Sequence, residues 1–99
     1  MFTIEYAPSV TDDLMQLTAA EQRRMLDKID EQLTHEPTVE TRNRKSLPGL
    51  VPPWDHEPPL WELRVGTLRA FYDVDQSAAR VMIRAVRRKP PHKTTKDIL

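Results

Sequence analysis

Three runs of alternating apolar and polar residues constrain this chain most strongly, and they occupy residues 60–65, 68–74 and 80–86. Alternation with a period of two is typical of half-buried strands, because successive side chains point to opposite faces. Gly66-Thr67, between the first two runs, is short enough for a tight hairpin turn. The three runs therefore predict an antiparallel meander at the core of the fold.

The N-terminal third predicts one strand and two helices. Residues 2–7 alternate like a strand, and Ser9 is expected to cap a short helix after it. Thr18 and Glu21 have the spacing of a capping box, so a second helix is expected from there to about His35. We interpret the charged residues of this helix as ion pairs on its solvent face, and we expect no site in it. The fold class is α+β, with the helices on one face of the sheet.

The segment between the helices and the meander is rich in proline. Five of the nine prolines lie between residues 48 and 59, which excludes a helix or a central strand there. We expect a short basic strand before this segment and a long, stiff loop within it, and a loop of this kind is often functional. Lys89-Pro90-Pro91 ends the last strand, and a short helical turn is expected from Thr94 to Leu99. The predicted order is β-α-α followed by three to four antiparallel strands.

Composition excludes several classes of protein. The 99 residues suffice for one domain, spanning 1–99, and no cysteine is present for a disulfide or a thiolate site. No apolar run approaches the roughly 20 residues of a membrane span. The N-terminus lacks the basic and apolar regions of a signal peptide. We therefore expect a cytoplasmic protein without a membrane partner.

The charge is zero overall but unevenly distributed. Residues 1–40 carry a net charge of −6 and residues 41–99 a net charge of +6. Such asymmetry predicts an anionic partner for the basic half, although two charged surfaces could also attract one another within the fold.

Two arginines of the predicted hairpin are expected to face one another. Pairing around the turn brings Arg64 close to Arg69, and like charges in that position are destabilising. An anion between them would explain the arrangement, since the guanidinium group suits phosphate. The alternative is a solvated sheet face on which Glu62 and Asp73 neutralise the arginines.

The hairpin and the strand after it resemble a known superfamily. The hairpin has the pattern W-x-L-R-x-G-x-x-R-x-x-Y from Trp61 to Tyr72. An apolar strand ending in basic residues follows at 81–89, and His92 lies in a short tail. With the N-terminal strand and helices, these features make nearly the whole chain similar to the RelE/ParE toxins.

The resemblance implies a toxin of a type II toxin–antitoxin system, assembled with a cognate antitoxin in a hetero-oligomer. RelE-like members cleave mRNA on the ribosome. In that reaction the 2′-hydroxyl attacks the adjacent phosphate, and no metal or cofactor is needed. ParE-like members share the fold but poison DNA gyrase, and a third alternative is an inactive relative that serves as a co-repressor with its antitoxin.

The resemblance also implies roles for individual residues. Arg69 and Arg88 match arginines that stabilise charge on the phosphorane, and Arg64 matches a position that holds the RNA backbone. Two strand lysines and a C-terminal tyrosine of RelE have no counterpart, which leaves His92 and Glu62 as candidates for proton transfer. Glu62 could instead be a structural partner of an arginine, and His92 a solvated tail residue. The remaining basic residues expected to contact RNA are Arg84, Arg87, Lys89, Lys93, Arg44 and Lys45.

Overall fold

A computed structural model describes all residues from 1 to 99 as a five-stranded sheet with two helices. The elements are β1 (Thr3–Tyr6), α1 (Val10–Met15), α2 (Ala19–Leu33), β2 (Arg44–Leu47), β3 (Leu60–Val65), β4 (Leu68–Asp75), β5 (Arg80–Arg88) and a 3-10 turn (Lys96–Ile98). The predicted α+β class and the antiparallel meander, β2 to β5, are confirmed. No helix is long and apolar enough to cross a membrane.

The first strand joins the sheet beside the last one. The strand order is β1-β5-β4-β3-β2, and β1 is parallel to β5 while the other neighbours are antiparallel. The parallel pair brings Thr3 opposite Arg80 and Tyr6 opposite Ile83. The sheet therefore contains both parallel and antiparallel pairs, and its first and last strands in sequence are neighbours.

Local sequence signals determine where α2 begins. The Thr18 hydroxyl accepts a hydrogen bond from the Glu21 backbone N–H at 3.1 Å, and the Glu21 carboxylate accepts one from the Thr18 N–H at 2.9 Å. The predicted capping box is confirmed, and the helix ends at Leu33, two residues before His35. Ser9 does precede α1, but its side chain makes no capping hydrogen bond.

The main core lies between the helices and one face of the sheet. Met25, Ile29 and Leu33 of α2 are completely buried in it. On the sheet side the rings of Trp61 and Tyr72 stack with centroids 6.1 Å apart. The Tyr72 hydroxyl donates a hydrogen bond to the Pro37 carbonyl at 2.7 Å, and burial raises the pKa of this phenol.

A second, smaller core lies on the opposite face. Leu60, Phe71 and Ala85 are buried there, and the residues that cover them are Leu47 and, from the proline-rich loop and the C-terminal tail, Leu50, Trp54, Ile98 and Leu99. The long loop expected from its prolines therefore also has a packing role. Both faces of the sheet are covered in this region.

A β-bulge in β5 determines which of its residues share a face. Phe71 pairs with Ala85 and Tyr72 pairs with Ile83, which leaves Arg84 without a partner on β4. An extra residue of this kind reverses the alternation of the side chains beyond it. As a result Arg87 lies opposite Arg69, and Arg88 lies opposite Leu68, whose side chain faces the helices.

Candidate nucleic-acid interface

Three arginines form a row across three neighbouring strands. Arg64 of β3 pairs with Arg69 of β4, which in turn pairs with Arg87 of β5. The predicted proximity of Arg64 and Arg69 is confirmed. Like charges directly opposite one another on a sheet are unfavourable, so the row requires compensating anions. We call these three residues the arginine row.

Glu62 supplies part of that compensation from within the sheet face. Its side chain is only 1% exposed, and its two oxygens lie 3.4 Å from Arg64 Nε and 3.9 Å from Arg69 Nε. The Thr95 hydroxyl donates a hydrogen bond to Oε2 at 2.8 Å. Glu62 thus forms the ion pair with Arg64 that its structural interpretation requires, its role as a base stays a prediction, and the C-terminal tail covers its carboxylate.

Arg69 is the most enclosed member of the row. Its side chain is 12% exposed, and Nη1 donates hydrogen bonds to the carbonyls of Gly66 and Leu68 at 2.7 and 2.8 Å. Nε is buried without a hydrogen-bond partner. Burial lowers the pKa of Arg69, the negative charge of Glu62 opposes this effect, and the positive charge of Arg64 adds to it. A buried donor without an acceptor is costly, and the Glu62 carboxylate at 3.9 Å compensates the charge of Arg69 without forming a hydrogen bond to this Nε–H.

Arg87 completes the row and is held from two sides. Its Nη1 lies 2.7 Å from a carboxylate oxygen of Asp13 in α1, and its guanidinium carbon lies 5.6 Å from the ring centre of Trp54. The same Asp13 oxygen accepts a hydrogen bond from the Val86 backbone N–H at 3.0 Å. Asp13 therefore fixes both the end of β5 and the arginine that extends from it.

Arg88 lies on the other side of the sheet. Its Nη2 donates a hydrogen bond to the Glu21 carboxylate at 2.7 Å, next to the capping box of α2. The Thr18 backbone N–H, and to a smaller extent Arg88, lower the pKa of Glu21. The bulge at Arg84 turns Arg88 toward the helices and away from Arg69, so the expectation that both arginines stabilise charge on the phosphorane stays a prediction that this arrangement does not support.

Two further predicted RNA contacts are used inside the fold. Arg84 forms an ion pair at 2.7 Å with the buried carboxylate of Asp73. The Arg44 side chain is only 7% exposed and donates hydrogen bonds to the carbonyls of Val39 and Gln32 at 2.9 and 2.7 Å. Arg44 is buried and Arg84 is paired outside the arginine row, so neither belongs to the candidate interface, and their assignment as RNA contacts stays an untested prediction.

The other predicted residues are more accessible. Lys45 is exposed on β2 at the position paired with Glu62, and Lys89 is partly exposed just beyond β5. His92 and Lys93 are exposed in the tail, and no side-chain hydrogen bond or ion pair holds either of them. Roles for these four residues stay predictions. No group of three or more side chains that could ligate a metal ion is present.

Sequence reasoning missed three residues that shape this site. Asp13 has the signature of an ordinary acidic residue in the first turn of a helix. Trp54 lies in an irregular loop, and Thr95 lies in a tail whose direction no periodicity determines. Arg87 was expected to contact RNA, but its place opposite Arg69 depends on the position of the bulge, which the sequence does not reveal.

The fold matches solved structures of RelE toxins and their complexes. The archaeal RelE–RelB complex from Pyrococcus horikoshii contains a chain 23% identical to this one, with a TM-score of 0.70 over 94% of this chain and 98% of that chain. The toxin–antitoxin complex RelBE2 from Mycobacterium tuberculosis gives 22% identity, a TM-score of 0.67, and coverage of 89% and 98%. The isolated RelE toxin of E. coli gives 16% identity, a TM-score of 0.71, and coverage of 94% and 89%.

No protein-family model matches the sequence, and no curated protein is significantly similar to it. The likeness therefore concerns three-dimensional structure at low sequence identity. It shows that the chain has a RelE-like fold, as the hairpin pattern led us to expect.

Proposed function

We propose that this chain is the toxin of a type II toxin–antitoxin pair and cleaves mRNA on the ribosome. The observation that carries the proposal is the arginine row, which concentrates three cations on one face of a RelE-like fold. Such a row suits a phosphodiester backbone, whose charges would replace the missing counter-charge. The proposed setting is the cytoplasm, where ribosomes and mRNA are found.

In the proposed reaction the 2′-oxygen attacks the adjacent phosphorus and the bond to the 5′-oxygen breaks. The products are a 2′,3′-cyclic phosphate and a free 5′-hydroxyl. Negative charge grows on the non-bridging oxygens as the phosphorane forms, and a pre-positioned donor is most effective there. Arg69 is the central member of the arginine row and is our candidate for this role, while Arg64 and Arg87 would hold the flanking backbone.

Two proton transfers accompany the reaction, one from the 2′-hydroxyl and one to the 5′-oxygen. Glu62 lies between two of the arginines and is our candidate base, although the Thr95 hydroxyl occupies one of its oxygens. The tail must therefore move away from Glu62 before this carboxylate can accept a proton from the substrate. His92 lies in the same tail and is our candidate acid, since imidazole exchanges protons near neutral pH.

The proposed partners are a cognate antitoxin and the ribosome with its mRNA. Solved structures with the same fold include RelE bound to RelB in complexes from several organisms, and this supports an antitoxin partner and a hetero-oligomer. We expect expression of the chain alone to arrest growth and co-expression of the antitoxin to restore it. Abundant expression of the free chain without growth arrest would contradict the toxin assignment.

Single-turnover cleavage of ribosome-bound mRNA tests the reaction. The wild-type chain should give a cyclic phosphate end, and Arg69→Ala should slow cleavage roughly 10²–10³-fold, the usual effect of losing one donor to a developing oxyanion. Arg80→Ala is the matched control, because Arg80 lies on β5 but pairs with Glu5 and Asp75 away from the row. Cleavage that survives Arg69→Ala would refute this site.

The same preparations should be assayed for inhibition of gyrase supercoiling. Inhibition of gyrase by the wild-type chain without cleavage of RNA would refute the nuclease and favour the ParE-like alternative. Antitoxin binding with neither activity would favour the co-repressor alternative.

A further inference from the structure

A second basic site lies between α2 and the tip of the β3–β4 hairpin, on the helix side of the sheet. It is a groove of about 240 Å³, and none of its eight lining residues is acidic. Its polar rim and floor consist of Arg24, Lys28, Gln32, Asn43, Arg64 and Gly66. Three cations and two side-chain amides thus converge on one concave surface.

Arg24 is fitted closely to the hairpin turn. A Cβ atom added to Gly66 would lie only 2.9 Å from Arg24 Nη2, and Gly66 has a φ of +60°. A glycine at this turn therefore permits both the left-handed backbone and the approach of the guanidinium group. No carboxylate of the chain lies within ion-pairing distance of Arg24. Its charge is held at the groove without an internal counter-ion.

Lys28 lies one helical turn after Arg24, on the same side of α2. It pairs with Glu31 at 2.9 Å, and both side chains are about half exposed. Exposed pairs of this kind contribute little, so an anion entering the groove can replace Glu31 at small cost. Two cations from the helix thus border the groove, and Arg64 contributes to its lining from the strand.

We propose that this groove binds a phosphate group of the RNA backbone, which makes it a second phosphate site beyond the arginine row. The proposal rests on the function proposed above and extends its RNA-binding surface to the helix side of the hairpin. Arg64 belongs to both places, because it lines the groove and also forms part of the row. An RNA strand that crosses the hairpin tip would therefore meet cations on both sides of it.

Titration with inorganic phosphate tests the site independently of RNA. In ¹H–¹⁵N NMR spectra of the full chain, phosphate should shift the Arg24 Nε–Hε signal and the amide signals of Gly66 and Asn43, compared with chloride at equal ionic strength. Arg24→Gln should abolish these shifts. Arg23→Gln is the matched control, since Arg23 is exposed on the same helix but does not line the groove. Equal shifts in phosphate and chloride, or unchanged shifts in Arg24→Gln, would overturn the proposal.

Fluorescence anisotropy with a short single-stranded RNA then identifies the source of the phosphate. Arg24→Gln and Lys28→Gln should each weaken binding roughly tenfold, in the range expected for a charged hydrogen bond. The slope of log affinity against log salt should fall by about 0.7 for each lost phosphate contact, and Arg23→Gln should match the wild type.

The outcomes distinguish this proposal from the nuclease assignment. If Arg87→Ala weakens RNA binding while Arg24→Gln equals Arg23→Gln, the groove proposal fails and the arginine row stands. If the groove binds inorganic phosphate but the wild-type chain binds no RNA, an RNA ligand is refuted together with the proposed nuclease.

Discussion

Single alanine variants of Arg87 and Arg88 compare two adjacent residues whose side chains lie on opposite faces of the sheet. Arg87 lies opposite Arg69, whereas Arg88 lies opposite Leu68 and pairs with Glu21. We expect Arg87→Ala to lower kcat/KM for mRNA cleavage roughly tenfold or more, because it removes a cation that would hold the flanking RNA backbone. Arg88→Ala should leave the cleavage rate nearly unchanged.

The free energy of unfolding of each variant shows whether a change in cleavage could come from a loss of folded protein. Arg87→Ala removes the partly buried ion pair with Asp13, but Asp13 keeps its hydrogen bond from the Val86 N–H. We expect a loss of about 1–2 kcal/mol in the free energy of unfolding, measured by urea denaturation. The Arg88–Glu21 pair is more exposed, so Arg88→Ala should cost about 1 kcal/mol or less.

Arg87→Lys adds a control for charge. Lysine keeps the positive charge but loses the planar group that lies over Trp54 and forms directed hydrogen bonds. Cleavage by this variant should fall between the rates of the wild type and Arg87→Ala. If Arg88→Ala is slower than Arg87→Ala while both variants remain folded, the assignment of the two arginines to opposite faces is refuted.

Three further variants test other parts of the structure. Thr95→Val removes the hydroxyl that bonds to the buried Glu62, so the free energy of unfolding in urea should fall by about 1.5–3 kcal/mol. Tyr72→Phe removes the donor to the Pro37 carbonyl and should cost about 1 kcal/mol in the same assay without altering cleavage. Glu21 has a lowered pKa in the folded state, so its stabilising effect is present at neutral pH and is lost as acid protonates it. Glu21→Gln should therefore make stability less dependent on pH in the acidic range, as thermal unfolding between about pH 3 and 7 would measure.

The parts of the fold that were predicted correctly depend on residues close together in sequence. Thr18 and Glu21 form their capping box within one helical turn, and Gly66 reverses the chain between two adjacent strands. The resulting pairing of Arg64 with Arg69 follows from the turn alone. Local geometry determines all three features, so a single sequence is enough to predict them.

The errors arose where distant segments meet. The face on which Arg88 lies was not predictable, because the bulge at Arg84 depends on how β5 packs against β4, and alternation along one strand does not reveal it. Arg44 was taken for a surface cation, yet its hydrogen-bond acceptors come from α2 and the segment after it. Thr95 reaches Glu62 across 33 positions of sequence. No periodic pattern in the sequence predicts contacts between residues so far apart.

The parallel pairing of β1 with β5 has a consequence for synthesis of the chain. Thr3 cannot pair with Arg80 until that residue has been synthesised, so β1 has no partner strand in the nascent chain before β5 is made. Contacts this far apart in sequence also slow folding, because a long loop must close before they form. The arginine row needs β3, β4 and β5 together, and so it too is assembled late. A nascent chain that does not yet include β5 would therefore lack the proposed RNA-cleaving surface.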